Sequence, residues 1–196
     1  MKYEQILRDI KSLKIQGANA VAHSSLDALE DFVKNKKAKT TIFFTKALKS
    51  FVTELKNARP TEPFQSNILN FCTKEIKMKE LDDICAEIIA RIKQIRARIE
   101  EDELKIIELG AKKILNGMTI FTHCHSSTVV EILKLAKKQG KKFLVCNTET
   151  RPFFQGRKTA KELADAGIKV YHFVDSAARY ALKNSDLFLF GADSIL

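Results

Sequence analysis

The residues best suited to chemistry crowd into one stretch, Thr122-His123-Cys124-His125-Ser126-Ser127-Thr128. A thiol between two imidazoles could ligate a metal or attack an electrophile with a histidine as base. Extended neighbours point to opposite faces, so only His123 and His125 are expected to share a face, and no second cluster completes a tetrahedral set. No Gly-Ser-Cys elbow surrounds Cys124, which argues against a Cys–His hydrolase. Ser126, Ser127 and Thr128 stand where a helical pattern begins, so their N–H groups and hydroxyls could hold an anion. The plainer alternative makes Cys124 a small buried hydrophobe and Ser126 an ordinary cap.

Other polar groups follow strand-like runs: Thr148-Glu149-Thr150-Arg151, Asp175-Ser176 and Asp193-Ser194. Asp175 reads most simply as an N-cap. Glu149 and Arg151 could pair with each other or with a second subunit. Neither G-x-G-x-x-G nor G-x-x-x-x-G-K-[ST] occurs, so no glycine-rich phosphate loop is present.

The elements that must position these groups fall into two regions. Helical periodicity predicts helices near 2–13, 19–35, 41–57, 64–76 and 80–115. The last carries Leu81, Ile84, Ile88, Ile92, Ile95 and Ile99 as one apolar stripe. Gly17 permits a tight turn, with Asn19 expected to cap the next helix, and Pro63 is placed to open another. After Gly117 the pattern alternates: strands at Met118–Cys124, Phe143–Asn147, Val170–Val174 and Leu187–Phe190, with helices near 127–139, 157–166 and 176–183. This order predicts an α/β fold: an all-helical domain over 1–116, then a Rossmann-like parallel sheet over 117–196 that reads as cut short after its fourth strand. The doubly wound order puts the first strand centrally, the second and third to one side and the fourth to the other. Cys124 and Asp193 would then face one crevice within roughly 5–9 Å, with Asp193 buried.

Composition bounds the function. The chain has 196 residues, 45% hydrophobic, enough for a sizeable core, and a net charge of +10. The basic surplus is spread along the chain, which suits phosphorylated metabolites better than nucleic acid. Cys72, Cys85, Cys124 and Cys146 form no C-x-x-C pair, and no signal peptide opens the chain; both point to a reducing cytoplasm. No apolar run approaches the ~18 residues of a membrane span.

Five ordered motifs carry a family resemblance: Thr122-His123-Cys124-His125-Ser126, Thr148-Glu149-Thr150-Arg151-Pro152 with Gln155-Gly156, Thr159-Ala160-Lys161-Glu162-Leu163, Asp175-Ser176-Ala177-Ala178-Arg179, and Gly191-Ala192-Asp193-Ser194-Ile195. Ile15-Gln16-Gly17-Ala18 and Ala58-Arg59-Pro60-Thr61 extend it into the helical region. The chain resembles the family that unites the alpha, beta and delta subunits of initiation factor 2B with methylthioribose-1-phosphate isomerase and archaeal ribose-1,5-bisphosphate isomerase, the last most of all together with its initiation-factor-2B-like archaeal relatives. The resemblance implies an aldose–ketose isomerase of nucleotide salvage, converting ribose 1,5-bisphosphate to ribulose 1,5-bisphosphate. Cys124 would handle the proton between carbons and Asp193 would be the acid. Ser126, Ser127 and Thr128 would hold one phosphate; Gln16, Gly17, Ala18, Asn19 and Arg59 would hold the other. It implies no cofactor or metal, and a homo-oligomer, dimer or hexamer. The alternative it leaves open is a non-catalytic regulatory subunit that binds a sugar phosphate or nucleotide and pairs with other initiation factor subunits. Two departures bear on the choice. Gln16 stands where the isomerases carry a phosphate-binding arginine, and the family's Asn-Lys segment beyond Gly-Ala-Asp is not in this sequence.

Overall fold

The computed structural model describes residues 2–35, 38, 40–76 and 80–192. Five helices come first: α1 (Lys2–Lys11), α2 (Ala18–Lys34), α3 (Thr41–Ala58), α4 (Pro63–Thr73) and α5 (Leu81–Lys113). Sequence grammar sets their starts. Pro63 opens α4, where its missing N–H has no helical partner to lose. Thr40 caps α3 by accepting from the Phe43 N–H. Gly17, at φ +86°, is itself the N-cap of α2. Asn19 therefore lies inside the first turn and is not the cap its side chain led us to expect. Each helix turns one apolar stripe inward, and Leu26, Leu29, Phe44, Leu69, Ile88 and Ile92 are almost wholly removed from water. Burying such a side chain contributes roughly 1.5–3 kcal/mol, so this core carries the region's stability.

The remaining elements alternate: β1 (Thr119–Thr122), α6 (Ser127–Lys138), β2 (Leu144–Thr148), α7 (Gln155–Asp165), β3 (Lys169–Phe173), a 3-10 turn at Asp175–Ala177, α8 (Ala178–Lys183) and β4 (Leu187–Phe188). The sheet order is β3-β2-β1-β4, with every pairing parallel, as the doubly wound pattern requires. Two compact units result, one reaching Glu100 and the other Glu101–Ala192, so they part within α5. The last turns of α5 belong to the sheet's core, where Ala111 and Ile114 are fully buried.

Register fixes which side chains share a face. Ile120 pairs with Val145 and Leu187, and these pack with Val129 and Leu133 of α6 and Leu163 of α7. On the other face Phe121 and Cys146 pack with Leu144 and Phe173 of the sheet and with Ala178 and Ala181 around the short α8. There Phe188 and Phe190 stack at 4.5 Å between ring centres while 47% and 55% exposed. An aromatic pair on an edge strand invites association. Phe190→Lys is expected to lower the concentration-dependent association of this protein, measured by light scattering. An unchanged profile would show that this face is not the sticky one.

Candidate functional site at the carboxyl edge of the sheet

The site begins where β1 stops pairing. Thr122 is the last residue of the ladder, and two residues on Cys124 takes a left-handed backbone, φ +64°. For a residue with a Cβ this costs on the order of 1–2 kcal/mol, so neighbours must hold it. They do so at every polar atom of the residue. Its N–H donates to Thr150 Oγ1 at 2.9 Å, its carbonyl accepts from Thr159 Oγ1 at 2.8 Å, and its Sγ donates to Gln155 Oε1 at 3.0 Å. Thr150 (φ +60°) and Phe154 (φ +53°) are left-handed too. Left-handed residues thus recur around this corner, the pattern strain makes where a site is being shaped.

The change of backbone direction at Cys124 also parts its histidines. His123 Nδ1 lies 2.6 Å from Thr148 Oγ1, whereas His125 Nδ1 lies 3.0 Å from Thr159 Oγ1 on α7. The expectation that they share a face is therefore wrong: it assumed an extended chain through Cys124. Hydroxyl chemistry fixes the tautomer of His125. Thr159 donates its proton to the Cys124 carbonyl, which has none to give. The Thr159 oxygen must then accept from His125 Nδ1–H, which leaves the neutral ring with its lone pair on Nε2. Burial, helped by Lys158, pulls the His125 pKa down, so its neutral form is favoured. Among the described residues, no three His, Cys, Asp or Glu side chains gather as a metal site would require.

The loop from Glu149 to Gln155 forms the other wall. Asp175 is no N-cap; Val174 takes that position, and the Asp175 carboxylate instead spans to this loop. It accepts the Thr150 N–H at Oδ1 and the Arg151 N–H at Oδ2, both at 2.8 Å. Those two backbone bonds, Arg151's first, hold its pKa below the usual carboxylate range. Glu149, nearly buried, receives Arg151 Nε at 2.7 Å and Arg157 Nη2 at 3.1 Å. The hydrogen bond from Arg151 leads in lowering its pKa as well. The Arg157 guanidinium also sits over the Phe154 ring, 4.0 Å from its centre. Glu149 and Arg151 thus pair within the chain.

Gly156 joins this loop to α7. A Cβ there would fall 1.7 Å from the Thr148 carbonyl oxygen. Its own carbonyl accepts from Asn147 Nδ2 at 2.7 Å, and Asn147 Oδ1 lies 2.9 Å from His172 Nδ1.

Acid should undo this wall. Both carboxylates have native pKa values below their unfolded ones, so their stabilisation is present above the ordinary carboxylate range and is lost as pH falls through the native values. We expect the urea midpoint of unfolding to drop as pH is lowered past about 4, the range of free carboxylates. We also expect Asp175→Asn to flatten that dependence. A midpoint independent of pH there would show that neither carboxylate holds the fold.

Ser126 caps α6, its Oγ accepting the Val129 N–H at 3.4 Å, with Ser127 exposed and Thr128 half-buried beside it. The chain leaving β4 passes close by: a Cβ on Gly191 would lie 2.9 Å from Ser126 Oγ. The Ser126–Thr128 turn is thereby brought beside the chain leaving β4, at the topological switch point between β1 and β4, while Cys124 is held from the β2–α7 side. Asp193 lies outside the described residues.

Gln16, Gly17, Ala18, Asn19 and Arg59 all belong to the helical unit. Gln16 Nε2 donates to the Leu13 carbonyl at 2.5 Å, so its amide turns onto its own loop. Arg59 Nη2 pairs at 2.8 Å with Glu62, whose side chain is only 4% exposed. Sequence reasoning did not find the contacts that Thr150, Gln155 and Thr159 make with Cys124. Their motifs were visible, but the partners lie 26–35 positions away.

Comparison with known proteins gives consistent results. Over 196 residues the chain is 39% identical to the ribose 1,5-bisphosphate isomerase of Pyrococcus furiosus, covering 97% of this chain and 60% of that protein. It is 30% identical to an eIF-2B subunit 2-like translation initiation factor of the same organism, over 99% of this chain and 67% of that one. The chain thus spans about 60% of the length of the isomerases it matches. Among solved structures, translation initiation factor eIF-2B of Pyrococcus horikoshii superposes with a TM-score of 0.87 at 26% identity, over 98% of this chain and 66% of that one. The 5-methylthioribose 1-phosphate isomerase of that organism gives 0.81 at 28%, over 98% and 58%. Since the model of the initiation factor 2 subunit family (IF-2B) matches residues 14–196, the chain belongs to that family.

Proposed function

We propose that this chain carries part of a sugar-phosphate aldose–ketose isomerase acting on ribose 1,5-bisphosphate. The observation that supports this most is Cys124, strained and held at N–H, carbonyl and thiol, beside the capped start of α6. A sugar phosphorylated on its anomeric oxygen cannot open by simple mutarotation, so an acid must protonate the ring oxygen; Asp193 is our candidate. Aldose and ketose then differ by one hydrogen moved from C2 to C1. As a thiolate, Sγ accepts the C2 proton, and the resulting thiol returns it to C1; the C2 hydroxyl proton, released as the C2 carbonyl forms, returns to the Asp193 carboxylate, so the enzyme ends unchanged. Gln155 suits both states. Its amide oxygen accepts from the thiol, and its NH2, after rotation, donates to the thiolate. One phosphate rests on Ser126–Thr128 and the other on the Gln16–Asn19 turn with Arg59. No cofactor is needed, and the reading places the protein in the cytoplasm as a homo-oligomer. Among the described residues no helix is long and apolar enough to cross a membrane.

Incubation of the protein with ribose 1,5-bisphosphate, with NMR detection of ribulose 1,5-bisphosphate, tests the proposal. Binding without turnover would support the second reading, a regulatory initiation-factor-type subunit. One observation favours that reading: Gln16, where the isomerases carry arginine, spends its amide on Leu13. Gln16→Arg is expected to tighten phosphate binding by roughly 1–2 kcal/mol, the scale of a charged over a neutral hydrogen bond. Titration calorimetry would measure it, and unchanged or weaker affinity would remove Gln16 from the phosphate site.

A further inference from the structure

Asp175 is usefully placed without being near enough to any polar group of Cys124 to bond it. We infer that Asp175 is a positioning residue for Cys124, acting through the loop it clamps. The route can be traced atom by atom. The carboxylate accepts two successive backbone N–H groups, Thr150 and Arg151. That fixes the left-handed turn at Thr150, whose Oγ1 then accepts the Cys124 N–H and itself donates to the Thr148 carbonyl at 3.3 Å. Farther along the loop, Gln155 Oε1 takes the thiol proton. One acidic side chain at the end of β3 therefore sets the backbone and thiol at the end of β1, two strands away in the sheet.

Asparagine at this position keeps the shape but replaces one acceptor oxygen with an NH2 group, which would face a backbone N–H. The loop should loosen and Cys124 should lose its cover, while the strands remain paired. The inference rests on the proposed role of Cys124, but it can be tested without turnover, so the two can fail separately. The test is peptide-resolved alkylation of the native protein by iodoacetamide at about pH 8, near a free thiol's pKa. The two buried cysteines serve as internal controls. Burial pushes the Cys72 thiol up to about 11, and Cys146 is buried against the sheet with its pKa also raised, so both should stay protected.

In Asp175→Asn, Cys124 alkylation is expected to rise roughly 10–150-fold, the scale set by losing a charged hydrogen bond, with Cys72 and Cys146 unchanged. Thr150→Val removes the hydroxyl but leaves both backbone bonds to Asp175, and it should give a smaller rise at the same cysteine. Asp175→Asn in that background should add less than it does alone, because the two act along one route. An unchanged Cys124 rate, fully additive effects, or Cys146 opening together with Cys124 would overturn the inference; the last would mean that Asp175 merely stabilises the sheet. Should Asp175→Asn fail to fold, Asp175→Glu, which keeps the charge and shifts it by one methylene, decides the question by the same criteria.

Discussion

Gly156→Ala is expected to be the most destabilising single-methyl change in the sheet-containing unit. The added carbon would sit 1.7 Å from the Thr148 carbonyl oxygen, a backbone atom at the end of β2 that no rotamer change can move. To make room, the start of α7 must lift away from the sheet. That lift would stretch the Asn147–Gly156 bond, at 2.7 Å, and the bond from Gly156 N–H to the Glu149 carbonyl, at 3.2 Å. Buried groups would be left without partners, and the expected cost is about 3–5 kcal/mol, at the upper end for point substitutions. Domains are typically stable by only about 5–15 kcal/mol, so partial unfolding at ordinary temperature would be no surprise. Urea denaturation followed by circular dichroism would measure the loss. A midpoint equal to that of the unaltered protein would mean that this approach of helix to strand is not fixed. Because Gln155 precedes Gly156, any variant that folds should also have lost the amide that holds the Cys124 thiol.

The largest expected effect on turnover is that of Cys124→Ser. A positioned proton-transfer group contributes roughly 10²–10⁴-fold to rate, and a serine hydroxyl is far too weakly acidic to form the needed anion near neutral pH. We therefore expect kcat for ribose 1,5-bisphosphate to fall by that factor with KM nearly unchanged, since the side chain places a proton and does not grip a phosphate. The fold should survive: the backbone bonds to Thr150 and Thr159 do not depend on sulfur, and the hydroxyl can still donate to Gln155. Turnover that persists within about tenfold would count against proton transfer by the thiol, because general acid–base roles are worth more than that. It would favour a hydride shift between the two carbons, with Cys124 reduced to shaping the site.

How much of this was legible in the chain varies with the range of the interaction involved. Helices and strands were readable because hydrophobic periodicity and caps are local. Pro63 opening α4 and Ser126 capping α6 needed only their immediate neighbours. Sheet order was readable one level up, since alternating strands and helices restrict the topology, and β1 does lie between β2 and β4. Asn19 marks the first failure. A good capping side chain yielded its place to Gly17, whose positive φ turns the chain one residue earlier. Asp175 marks the second. Its residue type suits an N-cap, but two unpaired N–H groups on a loop 24–25 positions away were the better partners for its charge.

The sequence by itself determined that a thiol, small hydroxyls and acidic groups would gather at strand ends, because strand-then-helix order places those positions on one edge of a parallel sheet. Only the tertiary structure decided what each of them does there. The left-handed turn at Cys124 separates His123 from His125 and sends them to different partners, and nothing local to that residue type announces it. Thr150, Gln155 and Thr159 surround the cysteine only after β1, β2 and α7 have packed. The physical reason is that a backbone costly in isolation persists where surrounding bonds over-determine it, and those bonds come from segments that the folded sheet alone brings together.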